Sequence, residues 1–107
     1  MVGQMSFAEF AASVACDAAP PEGLSAALQA LWHDHHGDWA QAHALAQEDR
    51  SEDGALVHAY LHREEGDRAN AGYWYERAGR SRPVDEVTLA AEWEQIAREL
   101  LGEPAKA

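Results

Sequence analysis

Apolar residues recur along this chain at intervals of three and four positions, the spacing that lines one face of a helix. Phe7, Phe10, Ala11 and Val14 make the first such stripe, and Leu24, Ala27, Leu28, Leu31 and Trp32 the second. Trp39, Ala42, His43 and Ala46 form the inner face of a third helix. Between Ala55 and Leu61 apolar side chains (Leu56, Val57, Ala59, Tyr60) cover most of the circumference, which predicts a central, buried fourth helix. Ala71, Trp74, Tyr75 and Ala78 define a fifth stripe, and Leu89, Trp93, Ile96, Ala97 and Leu100 a sixth. Sustained period-two alternation is absent, so no sheet is expected. The pattern predicts an all-α domain spanning residues 1–107, with helices over 7–17, 21–35, 38–48, 52–65, 68–79 and 86–101.

Capping signals set these boundaries. Ser6 and Glu9 have the spacing of a capping box, with Met5 and Phe10 placed as its hydrophobic staple. Pro20-Pro21 can open the second helix, since a first turn tolerates proline. Gly37 ends it, and Asp38 with Gln41 starts the third. Ser51 is placed to cap the fourth, Gly66 to stop it and Asp67 to cap the fifth. Gly79 to Pro83 reads as a loop, Asp85 as the cap of the sixth helix, and Val84 with Leu89 as its staple. Gly102 and Pro104 supply the stop.

Gly37-Asp38 and Gly66-Asp67 lie 29 residues apart and anchor an internal repeat. In that register His33 falls on His62, Ala40 on Ala69, Gln41 on Asn70 and Ala42 on Ala71, while Ala26 and Ala30 fall on Ala55 and Ala59. Small residues at matched positions let two helices approach across a short turn. The expected architecture is therefore two stacked helix–turn–helix hairpins, with the first and last helices covering their exposed faces.

The second hairpin resembles tetratricopeptide and Sel1-like repeats. Asp67, Ala71, Trp74-Tyr75, Arg77 and Ala78 follow the D-x-x-x-A-x-x-W-Y-x-K/R-A run of a Sel1 second helix. Gly66, Ala71, Tyr75 and Ala78 sit at the tetratricopeptide spacing, with that family's short turn. The first hairpin departs from this, carrying Leu45 and Ala46 in place of the Trp-Tyr pair. The longer string from His58 to Arg80 also resembles a small bacterial protein family. Those resemblances imply a helical scaffold that binds other proteins, and imply no catalytic residue.

Charge narrows the classes of partner. A net charge of -11 on 107 residues opposes binding to nucleic acid or an anionic membrane. One cysteine, Cys16, excludes an intrachain disulfide, and no apolar run approaches a transmembrane length, so a cytoplasmic protein is expected. Asp17 beside Cys16 disfavours a thiolate nucleophile. Arg63, Arg68, Arg77, Arg80 and Arg82 concentrate five of the eight basic residues within twenty positions. This segment reads either as a solvated helix face or as a surface for an acidic partner.

The same segment carries the candidate chemistry. His58 and His62, four apart, project from one helix face, where these repeat families place an apolar and an aromatic residue. They read as hydrogen-bonded structural side chains, a small-ligand pocket, or two ligands of a metal completed by Glu65 or another helix. Asn70, Tyr73 and Arg77 share a stripe in which arginine can stack on an aromatic ring. The alternative for Arg77 is pairing with Glu64, Glu65 or Asp67. His33, His35 and His36, grouped with His43, read as a solvated helix end facing the dipole. The expectation is a non-enzymatic interaction module for a protein or a small acidic ligand, using His58, His62, Asn70, Tyr73, Arg77 and Arg80. No cofactor or metal is assigned, catalysis would rest on His58 and His62, and self-association is an alternative.

Overall fold

The computed structural model describes residues 5–103, so Pro104 lies outside the described residues. It is all-helical: α1 (Phe7–Cys16), α2 (Ala26–His35), α3 (Trp39–Glu48), α4 (Glu52–Glu64), α5 (Arg68–Arg77) and α6 (Leu89–Leu100). Among the described residues there is no strand, and no helix is long and apolar enough to cross a membrane. The Ser6–Glu9 capping box forms in both directions. Asp38, Ser51 and Asp67 cap α3, α4 and α5 by accepting from the N–H groups of Gln41, Gly54 and Asn70.

Two helix starts differ from expectation. α2 begins at Ala26, where the Ser25 hydroxyl accepts from Leu28 N–H, so Pro20-Pro21 stays outside it. α6 begins at Leu89, capped by Thr88 instead of Asp85. Arg63 donates to the Val87 carbonyl from α4 and ties down the chain just before α6, while Thr88 Oγ1 accepts from Ala91 N–H. The Val84–Leu89 staple does not form: Val84 is 64% and Leu89 38% exposed.

The Gly-Asp repeat is reproduced in the backbone. Gly37 and Gly66 adopt φ of 95° and 87°, a left-handed conformation that costs a Cβ-bearing residue about 1 kcal/mol. Asp38 N–H donates to His33 O, and Asp67 N–H to His62 O, so both turns close with the same bonds. α2 packs on α3 and α4 on α5, while α3 also packs on α4. α1 and α6 pack on each other, α1 on α2, and α6 across α2 and α4. They therefore cover the side of α2 and α4 turned away from α3 and α5. Trp93 locks that layer, stacking on Phe10 and His35 and donating its indole N–H to Leu31 O. Every residue of α4 from Gly54 to His62 is buried, as its all-round apolar pattern predicts.

The ends of α2 and α4 meet through two carboxyls. Asp34 is buried with Oδ2 lacking a donor, and Glu64 is the acid beside it. Desolvation of its carboxyl and a hydrogen bond to Asp34 push Glu64 up to about 8, although the residue as a whole is exposed. The unfolded chain releases this proton near 4.5, so the stability it contributes is complete below that pH and is lost as pH rises through 8. Glu64→Gln, which keeps a donor for Asp34, should flatten this loss. After screening at the exposed rim, we expect a gain of about 1 kcal/mol over wild type at alkaline pH and little change below the unfolded-chain value of 4.5, read from urea melts.

Candidate functional site

α3 and α5 flank α4, and the side chains they direct at it meet around His58 and His62. His43 comes from the middle of α3, one turn beyond Trp39. It joins the two histidines of α4 rather than the helix-end cluster to which the sequence had grouped it. His33, His35 and His36 remain at the end of α2, where His36 stacks on Trp32 and His35 on Trp93. The His43 and His58 Nε2 atoms lie 3.0 Å apart, one ring donating its N–H to the lone pair of the other. Ring nitrogens of His43, His58 and His62 all fall within 4.8 Å of one another.

Two indoles enclose the cluster. Trp74 of α5 stacks on His58 at 4.0 Å between centroids and 15° between planes, and Trp39 stacks on His43 at 4.9 Å and 13°. The Trp39 indole N–H donates to Leu61 O, which fixes that wall to α4. His58 and His62 are buried and His43 is half-buried. Burial, followed by the neighbouring His43 and His62, lowers His58 to about 4; burial and then His62 lower His43. Both rings are therefore neutral at neutral pH, the form in which imidazole donates to a metal.

Glu65, the C-cap of α4, accepts from His62 Nδ1 at 2.7 Å. In a neutral ring that bond keeps the proton on Nδ1 and leaves the lone pair on Nε2. Carboxylates commonly set the tautomer of metal-ligating histidines in this way. A tetrahedral zinc with bonds of about 2.0–2.1 Å needs its donors about 3.3 Å apart. The 3.0 Å His43–His58 separation is close to that, and the ring nitrogens of all three histidines lie within 4.8 Å. For His43 and His58 to hold one metal together, the donating ring would have to move its proton from Nε2 to Nδ1.

The other residues singled out in the sequence divide between two places. Tyr73 and Arg77 lie beside Trp74, at the outer edge of the cluster. Tyr73 is 52% exposed, and the Arg77 guanidinium sits 5.8 Å from the Tyr73 ring and 5.5 Å from the Trp74 ring. Among the described residues Arg77 takes no carboxylate partner, stacking on aromatics instead. Asn70 belongs to the α5 cap, with both backbone and side-chain N–H groups directed at Asp67. Arg80 is ion-paired to Glu99 on α6 and does not join the histidines.

Fold and site together define an all-α protein in which adjacent hairpins converge on a buried, indole-walled triad of imidazoles. Comparison of the chain with protein-family models, with curated proteins and with solved structures gives no match in any of the three.

Proposed function

We propose that this protein binds one divalent first-row metal ion of the zinc class through His43, His58 and His62. The observation that carries this reading is the convergence of three imidazoles from two hairpins, within 4.8 Å, one of them oriented by a carboxylate. An all-nitrogen set suits zinc, cobalt, nickel or copper and disfavours magnesium and calcium, which take oxygen ligands. Three protein donors leave a fourth position for water or an exogenous ligand. The two hollows between α5 and α6 and beside Arg68 include none of the three histidines. Metal binding is accordingly proposed without a reaction.

Titrating the protein with cobalt should give the visible absorption of a four-coordinate ion at a stoichiometry of one, displaced by zinc. No absorption, and no calorimetric heat with zinc, would overturn the assignment. Zinc at 100 times its Kd should stabilise the fold by about 2.7 kcal/mol, readable as a higher melting temperature. Glu65→Gln should weaken binding about 10- to 100-fold while leaving stoichiometry at one, the usual effect of removing an outer-shell partner.

One further observation favours a second reading, a surface for a protein or small acidic ligand. Tyr73 and Arg77 present an exposed ring and a planar cation at the edge of the second hairpin, where its likeness to tetratricopeptide and Sel1-like repeats also points to partner binding. Arg77→Glu should leave cobalt binding unchanged, which separates this surface from the metal site.

A further inference from the structure

α5 and α6 do not pack backbone against backbone. A hollow of about 980 Å³ lies against α6, lined in part by the segment that connects the two helices. Its floor is made of Leu56, Tyr75 and Ile96, all buried side chains that still line the space. Pro83 and Val87 form the wall on the side of the connecting segment. Small-molecule sites occupy roughly 300–1,000 Å³ and combine an apolar lining with a few polar groups.

The charges around the hollow select the ligand. Glu86, Glu92, Glu94, Glu99 and Glu103 line it against only Arg80 and Arg98. Both guanidiniums are engaged, Arg80 by Glu99 and Arg98 by Glu94 and Glu103. Glu92 at the base is held by Arg63 and by the Tyr75 hydroxyl. Glu86 is exposed and takes part in no ion pair among the described residues. An anion would meet this carboxylate excess and the overall charge of -11, whereas a cation is drawn toward both.

We propose that the hollow binds a small organic cation, an amine carried on an apolar body. The body lies over Leu56, Ile96 and Val87, and the ammonium is taken at the rim by Glu86, whose carboxylate has no ion-pair partner among the described residues. This site is independent of the histidine triad.

Ile96 is the chain's only isoleucine, so protein labelled at the isoleucine δ1-methyl reports from the floor with a single NMR signal. Phenethylamine at neutral pH should move that signal saturably, and 3-phenylpropionate should leave it in place. Glu86→Gln should weaken the amine about fivefold, the scale of a rim charge, with the thermal melt unchanged. Ala91 lines the hollow from an exposed position, so Ala91→Phe should narrow it beside Glu86 and Val87 and weaken the amine in a protein that still folds. No shift at millimolar amine, equal shifts from amine and carboxylate, or undiminished binding in Ala91→Phe would each overturn the proposal.

Discussion

Replacing His58 by alanine is expected to lower zinc and cobalt affinity by at least about 100-fold, because outer-shell partners alone are worth about 10- to 100-fold. His58 is the pivot of the cluster: its Nε2 faces His43 at 3.0 Å, and its ring lies between the other two imidazoles and Trp74. The two remaining imidazoles fall one short of the three protein ligands that an open zinc site uses. His43→Ala should lose metal to a similar degree. His43 is half-buried on α3, so its removal disturbs packing less and separates loss of a ligand from loss of the fold. Calorimetry with zinc and cobalt absorption measure both variants. Unchanged affinity in either would remove that histidine from the site.

Arg63→Met should destabilise the fold by about 3–5 kcal/mol, the cost of leaving a buried charge without its partner. Glu92 is only 4% exposed on α6, and its two oxygens accept from Arg63 at 2.8 Å and from the Tyr75 hydroxyl at 2.6 Å. Three helices, α4, α5 and α6, thus share one carboxylate. Burial and the Glu92 carboxylate hold the Tyr75 hydroxyl far above its ordinary range, so it remains a donor. Arg63 also holds the Val87 carbonyl, and its loss should fray the start of α6. Removing the whole network by Arg63→Met, Tyr75→Phe and Glu92→Leu together should recover most of the loss, because no buried charge is left unpaired. Urea melts of the single and triple variants test this. A triple variant as unstable as Arg63→Met would show that the network's net contribution, rather than an orphaned carboxylate, sets the cost.

The helices were legible because their signals are local. Ser6, Asp38, Ser51 and Asp67 each cap the helix that their position predicts, and the apolar belt of the fourth helix becomes the buried α4. Two starts were missed where local signals competed. Asp85 and Thr88 are both competent caps, and the Arg63 contact to Val87 favours the later one. The α5 stripe places Trp74 with the core, and it does pack against the core from a half-buried position. What the stripe does not show is that the same indole walls the histidine cluster, or that Glu92 is a buried carboxylate on an amphipathic helix. A glutamate one position before Trp93 gives no one-dimensional hint that Arg63 and Tyr75 will reach it.

His58 and His62 could be paired from their i, i+4 spacing alone, because a helix places such residues on one face. His43 could not. Fifteen residues and a helix boundary separate it from His58, and the sequence grouped it with its neighbours in the chain. By itself the sequence determined an all-α chain, four of its six N-caps, and the twin Gly-Asp turns, all of which depend on contacts within a few residues. Only the tertiary structure decided which hairpin faces which, and so brought the third imidazole to the other two, set Trp39 and Trp74 around them, and sent Arg80 to α6. Those outcomes depend on helix crossing and on which side chains share a buried volume, quantities that local periodicity does not encode.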